Sequence, residues 1–507
     1  MKLCMRGHNY RYELENICRL FLPQESVTVC DTLPDRTGVC AVTVLEKTAD
    51  TTHLTVELTL DTFCRTKTAE IANDTPNWED ACELELATLL YHLFTELFGV
   101  TQRWGIVTGV RPVKLLRRLK AEYGNEEKAL DYMRERLLVS DGKLALCRNT
   151  LQAEDRILSL SRPDSFSLYI SIPFCPTRCD YCSFVSRSIA NAQKLVAPYV
   201  ERLAEEIAHT GALARELGLR LETVYFGGGT PTSLSAEQLA FLLKTVEQHF
   251  DLSTVREYTV EAGRPDTVTA DKLRAIKAAG VNRISINPQT LQDDVLKAIG
   301  RRHTVAQFYD AFNLARQCGH DNINTDLIAG LPQDTLDGFS QTLDGILALQ
   351  PENITVHTLS MKRASNLVVQ HRADYESQDE AVGMVDMTAR QLPANGYHSY
   401  YLYRQSRMVG NQENVGWAKD GFDGLYNVYI MDETHTILGC GAGAVTKLKL
   451  PGTDYLERVF NFKFPYEYND NLPEMLRRKE QVREFYDRYV FGGEAPVGRR
   501  GVAPREE

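Results

Sequence analysis

Between residues 163 and 375 the chain repeats one pattern: a short apolar or β-branched run, then a longer run with apolar positions every three to four residues. The short runs at 166–172, 221–226, 257–262, 282–287, 322–327 and 353–359 predict strands. The longer ones predict helices over 193–217, 235–249, 270–279, 291–299 with 304–318, and 335–349. Strands joined through crossover helices lie parallel. Six such strands are fewer than a closed eight-stranded barrel needs, which leaves a partial (β/α)6 barrel or an open doubly wound sheet.

The flanks carry other patterns. In residues 1–150, alternation at 26–30, 39–46 and 53–60 predicts antiparallel strands, and Leu84, Leu86, Leu89, Leu90, Leu93, Phe94, Leu97 and Phe98 make a broad apolar helix face. A basic run follows (Lys114, Arg117, Arg118, Lys120), which reads as a solvated face that could touch an anion. Residues 376–507 mix helix with Gly- and aromatic-rich stretches, among them 396–403 and Gly439–Ala444. The last residues, from Gly492, read as a frayed tail. The expected division is an N-terminal α+β region of unknown role over 1–150, the partial barrel over 163–375, and a smaller C-terminal domain over 376–507.

Charge narrows the function classes. With 57 Lys and Arg against 68 Asp and Glu, the formal charge is −11 over 507 residues, which argues against general binding to nucleic acid or an anionic membrane. No stretch is apolar enough for a membrane span, and the N-terminus lacks the apolar core of an export signal. Twelve cysteines in such a chain read as reduced thiols in a cytoplasm.

Three of them stand apart. Cys175, Cys179 and Cys182 form C-x3-C-x2-C just after the first barrel strand. Three soft ligands from one loop suit an iron–sulfur cluster and leave one metal position without a ligand from that loop. A structural zinc site would close with a fourth ligand, and position 184, where one could fit, is Phe. The other unusual residues fall at successive strand ends: Gly227-Gly228-Gly229-Thr230-Pro231, Glu261, Gln289, Asp326 and His357. In parallel α/β barrels that rim is where function collects. Bare glycine backbone can approach a ligand closely, and the carboxylates can accept from an ammonium or from ribose hydroxyls.

C-x3-C-x2-C with Tyr181 before the third cysteine, followed by Gly-Gly-Gly-Thr-Pro, resembles the radical S-adenosylmethionine enzymes. The segments 168–175, 224–231, 281–286 and 324–332 resemble the oxygen-independent coproporphyrinogen III oxidase family, above all its coproporphyrinogen dehydrogenase branch with an extra N-terminal region. The resemblance implies a partial (β/α)6 radical-SAM barrel. It implies that Cys175, Cys179 and Cys182 hold a 4Fe-4S cluster whose fourth iron takes S-adenosylmethionine. Gly228, Gly229 and Thr230 would then meet its methionine end, and Glu261, Gln289, Arg301 and Asp326 its nucleoside. Tyr169 aligns with a family aromatic near the cluster and is the catalytic candidate. The implied reaction is oxidative decarboxylation of two propionates of coproporphyrinogen III to vinyl groups, giving protoporphyrinogen IX. The implied partners are that porphyrinogen and a low-potential electron donor such as flavodoxin or ferredoxin, with the chain a monomer.

A substrate with four carboxylates on an acidic protein calls for a local basic pocket, expected among Arg264, Arg301, Arg302, Lys362, Arg363 and Arg404. Two positions depart from the family: Ser171 where known members carry His, and Phe184 where they carry a fourth Cys. Phe at that place resembles the related heme chaperones. A heme-binding carrier, or another radical reaction such as methyl transfer, is therefore the alternative.

Overall fold

The computed structural model describes residues 1–30, 37–184, 186–362, 365, 378–405 and 407–496. They divide into two compact units: Met1–Leu151 with Leu402–Glu413, and Gln152–Tyr401 with Asn414 onward.

The first unit holds a five-stranded sheet in the order Thr28–Cys30, Lys2–Arg6, Cys40–Lys47, Thr51–Leu60, Phe63–Ala72. Helices Arg11–Phe21 and Trp78–Phe98 cover it, burying Leu3, Leu54, Val56 and Leu58 against Leu86, Leu90 and Phe94. Of the three expected strands, Cys40–Lys47 and Thr51–Leu60 pair antiparallel as expected, Thr28–Cys30 does not, and Phe63–Ala72 adds an antiparallel strand that was not expected. Lys2–Arg6 pairs parallel with both of its neighbours, because helix Arg11–Phe21 carries the chain back over the sheet before Thr28. Five residues of a mostly polar terminus gave no sign of this strand, although Leu3 and Cys4 are fully buried. The segment 402–413 is held here by Glu413, which accepts from Trp104 Nε1 at 2.7 Å and from Lys143 Nζ at 2.6 Å.

The second unit is built on one eleven-stranded sheet. Its strands are β1 (Ser165–Ile172), β2 (Arg220–Gly228), β3 (Glu257–Glu261), β4 (Arg283–Ser285), β5 (Ile323–Ala329), β6 (Asn353–Thr358), β7 (His398–Tyr403), β8 (Asn414–Ala418), β9 (Thr436–Cys440), β10 (Val445–Lys449) and β11 (Leu456–Phe460). Their order is β7-β8-β6-β5-β4-β3-β2-β1-β9-β10-β11. The six expected strands run parallel in sequence order, and the helices of the five connections between them lie in the predicted places. Hydroxyl caps start several of these helices: Ser235 with Gln238 and Thr304 with Gln307 form capping boxes, and Thr269 and Thr335 cap alone. Residues beyond 376 lengthen the sheet at both margins. β8 pairs antiparallel with β6, and β9 lies parallel to β1, with Gly439 beside Tyr169.

Strand alternation sorts the two faces. Leu168, Ile170, Val224, Phe226, Val260, Ile284 and Ile354 are buried on one face. The other face carries, in register across β1 to β5, Tyr169, Tyr225, Thr259 and Glu261, Arg283 and Ser285, and Asn324 with Asp326. Thr355 and His357 on β6 continue it. The barrel interior is thus lined by phenols, carboxyls and amides.

Candidate active site

The cysteine loop begins at the end of β1 and is tied down from three sides. Phe174–Cys175 pairs with Arg187–Ser188. Asp180 N donates to Ile299 O at 3.0 Å, and Arg301 Nη2 donates to Tyr181 Oη at 2.9 Å. Arg264 grips Asp266 with two parallel bonds of 2.9 Å while its Nη1 reaches Thr177 Oγ1 at 3.2 Å and Cys179 Sγ at 3.5 Å. The loop is therefore laid across the ends of β3 and β4.

The glycine loop at the end of β2 interlocks with it. Gly229 N donates to Ile172 O at 2.7 Å and Thr230 N to Phe174 O at 2.8 Å. Thr230 Oγ1 donates to Cys175 Sγ at 3.5 Å. A Cβ on Gly229 would lie 2.6 Å from Phe174 O and 3.0 Å from Cys175 Sγ, so only glycine permits this approach. Gly228 takes φ +107°, a backbone form that other residues avoid.

The donor set fits an iron–sulfur cluster. Cys175 and Cys182 are partly exposed, Cys179 is buried, and two of the sulfurs accept donors of the kind that tune cluster thiolates. Burial pushes the Cys182 thiol up to about 11, with the charge of Cys179 adding to it, and a bound cation reverses such a shift. Among the described residues no three His, Cys, Asp or Glu side chains gather onto a single ion position. A cluster takes each thiolate on a different iron.

Inside the barrel mouth the predicted carboxylates come together. Tyr225 Oη donates to Glu261 Oε1 at 2.5 Å. Burial pushes Glu261 up to about 7, held back by the Tyr225 bond and raised further by the charge of Asp326. Asp326 accepts from Asn287 Nδ2 and Asn324 Nδ2, each at 2.8 Å, and stands 3.8 Å from His357 Nε2. Burial opposes its charge, but His357 and the amides hold it below the ordinary carboxylate range. Gln289 follows β4 with φ +71°, unusual for a side-chain-bearing residue. Two backbone bonds of 3.0 Å, from Gln289 N to Asp326 O and from Ile328 N to Gln289 O, hold it there.

Tyr169 sits in a stack of three aromatic rings. Its centroid is 6.3 Å from Tyr225 and 6.1 Å from Tyr426, and Tyr225 and Tyr426 are 4.4 Å apart. Burial raises the phenol well above its ordinary value, with Glu261 adding to the rise.

The expected basic pocket is only partly there. Arg264 is 3% exposed and committed to Asp266 and the cysteine loop, because a buried guanidinium needs a counterion and acceptors. Arg404 belongs to the first unit, where it donates to the carbonyls of Val107 and Asn411. Arg301 links Asn287 O to Tyr181. Arg302 is exposed and Lys362 half-buried, while Arg363 lies outside the described residues.

Three contributors were missed from sequence. Tyr225 has the strand parity of Tyr169 and could have been found by register. Asn287, which holds Asp326, was read only as the end of a strand. Tyr426 comes from helix Leu425–Asp432, far along the chain, and no local signal marks it.

Residues 169–346 match the model of the Radical SAM superfamily. The chain is 39% identical over 394 residues to the oxygen-independent coproporphyrinogen-III oxidase-like protein HemZ of Bacillus subtilis, covering 76% of this chain and 79% of that protein. The chain belongs to the oxygen-independent coproporphyrinogen III oxidase family of radical SAM proteins. The heme chaperone HemW of Bacillus subtilis is 33% identical over 328 residues, covering 63% of this chain and 81% of that protein. Among solved structures, coproporphyrinogen III oxidase (HemN) from Escherichia coli aligns with 24% identity and a TM-score of 0.49 over 64% of this chain and 73% of that one. Membership brings a 4Fe-4S cluster and S-adenosylmethionine as the cofactors. Among the described residues no helix is long and apolar enough to cross a membrane.

Proposed function

We propose that this radical SAM protein carries out the oxygen-independent oxidative decarboxylation of two propionates of coproporphyrinogen III, giving protoporphyrinogen IX. The observation that carries the reading is the long match to a coproporphyrinogen-III oxidase-like relative, in a chain whose cysteine loop, glycine loop and carboxyl-lined mouth meet at one end of a parallel sheet. When bound, the cofactors would supply the radical chemistry needed to remove hydrogen from a propionate side chain. Cys175, Cys179 and Cys182 would hold the cluster. Gly228, Gly229 and Thr230 would meet the methionine end of S-adenosylmethionine, and Glu261, Gln289, Arg301 and Asp326 would order its nucleoside. The Tyr169, Tyr225 and Tyr426 rings would floor the cavity and keep water from it. The reading places the chain in a cytoplasm as a monomer, supplied by a low-potential donor such as flavodoxin or ferredoxin.

A heme-binding chaperone is the second reading. It is favoured by the HemW relationship and by Phe184, which is 68% exposed beside the cysteine loop. One anaerobic experiment separates the two: reconstitute the cluster, then add reductant, S-adenosylmethionine and coproporphyrinogen III. The first reading expects protoporphyrinogen with two equivalents of 5′-deoxyadenosine. Tight heme binding without porphyrinogen turnover would overturn it in favour of the carrier.

A further inference from the structure

The last residues of β1 are clamped from the C-terminal part of the chain. Ser171 Oγ donates to Ala442 O at 2.8 Å. Tyr199 Oη bridges the same two segments, donating to Ser171 O at 2.7 Å and accepting from Ala442 N at 2.9 Å. The Gly441–Ala442 turn is itself anchored on Glu206, which is fully buried. Its carboxylate accepts from Gly441 N at 2.7 Å, Tyr468 Oη at 2.6 Å and Asn461 Nδ2 at 2.8 Å, and stands 3.2 Å from Lys479 Nζ. A buried carboxylate with this many donors is held to one place.

What Ser171 touches gives the clamp its consequence. The chain passes from Ser171 to Ile172, whose carbonyl holds Gly229 N, and on to Phe174, whose carbonyl holds Thr230 N. On the other side, a Cβ on Gly228 would lie 2.9 Å from Ser171 Oγ. The space around Gly441 is equally tight, since a Cβ there would lie 2.5 Å from Tyr199 Oη and 2.6 Å from Ser171 O. A shift of Ser171 is therefore carried into the cysteine loop and the glycine loop together.

We propose that Tyr199, anchored through the 441–442 turn on Glu206, is a positioning residue that sets the spacing between the cysteine loop and the glycine loop, and so the affinity for S-adenosylmethionine. The inference needs the cofactors of the superfamily but no porphyrin, so its outcome is independent of which substrate is turned over.

The test compares two buried tyrosine hydroxyls at opposite ends of β9. Tyr199→Phe removes the bridge at the cysteine-loop end and keeps the ring against Phe174 and Tyr468. Tyr486→Phe removes the bond to Thr436 Oγ1, 2.8 Å long, at the other end. Both variants are reconstituted anaerobically and assayed for iron and sulfide. S-adenosylmethionine affinity is then measured by equilibrium dialysis, and the paramagnetic spectrum of the reduced cluster is recorded with and without the nucleotide. Tyr199→Phe should load its cluster, bind S-adenosylmethionine about tenfold more weakly, and show a reduced spectral change on adding it. Tyr486→Phe should match the wild type. Equal weakening in both variants would mean general softening, and no weakening in either would mean the clamp is irrelevant; each result overturns the proposal. Should Tyr199→Phe fail to fold or to load, Tyr468→Phe decides by the same criterion, since it removes the hydroxyl that donates to Glu206 at 2.6 Å and keeps the ring against Tyr199.

Discussion

The phenol of Tyr225 donates to the carboxyl of Glu261 across 2.5 Å inside the barrel, and Tyr225 lies on the strand that ends in the glycine loop. This joins the second strand's ring to the third strand's acid just inside the rim. Burial pushes that acid up to about 7 from its ordinary 4.5.

A pH dependence follows from that shift. Below about pH 4.5 Glu261 is protonated in folded and unfolded chains alike, and its stabilising contribution is fully present. From there to about 7 the unfolded chain ionises while the folded chain keeps its proton, so stability falls as pH rises and the loss is complete above about 7. The size is at most about 3 kcal/mol. Urea unfolding midpoints measured across this range should fall less steeply in Glu261→Gln than in the wild type. Parallel profiles would show that Glu261 titrates normally.

The interlock of the two loops predicts the effect of one methyl group. In Gly229→Ala the new Cβ meets Phe174 O at 2.6 Å, Ile172 O at 2.9 Å and Cys175 Sγ at 3.0 Å. Backbone has to shift, and S-adenosylmethionine affinity should drop by at least about tenfold in equilibrium dialysis. Unchanged affinity would mean that the glycine loop does not meet the nucleotide.

Replacing any one of Cys175, Cys179 and Cys182 by Ala should abolish the visible absorbance of the reconstituted cluster. Phe184→Cys should leave the iron content unchanged, because the three sulfurs already on the loop suffice. Retained absorbance in a single alanine variant would identify that residue as a non-ligand.

Arg264 gives a prediction with two readouts. In Arg264→Ala, Asp266 loses a nearly buried bidentate partner and the loop loses its hold on Thr177 and Cys179. Loss of one partner of such a pair should cost about 3 kcal/mol, and cluster loss to a chelator should accelerate in the same variant. If thermal unfolding moves while the chelation rate does not, Arg264 supports the barrel and not the cysteine loop.

In the first unit, Lys143→Met removes the ammonium 2.6 Å from buried Glu413. Destabilisation by about 3 kcal/mol is expected, with early hydrogen exchange over residues 402–413. Protection of that segment at the wild-type level would show that Trp104 and the surrounding packing hold it unaided.

Local patterns were enough for the six parallel strands, their helices and the cysteine loop. The period of two or of 3.6 is written in neighbouring residues, a C-x3-C-x2-C spacing puts three thiols on a single loop, and strand ends in a parallel sheet share one rim. Glu261 and Asp326 could be placed together on that ground alone.

Partners distant in sequence were decided by tertiary structure alone. Arg264 and Arg404 are as basic in the chain as any substrate-binding arginine, and only packing shows that one grips Asp266 and the other the carbonyls of Val107 and Asn411. Tyr426 enters the ring stack and Ala442 clamps Ser171 from more than two hundred residues away. Lys2–Arg6 becomes a parallel strand because a helix carries the chain back over the sheet. A residue's type and its nearest neighbours set what it can bond to, but which partner it meets depends on how the whole chain closes.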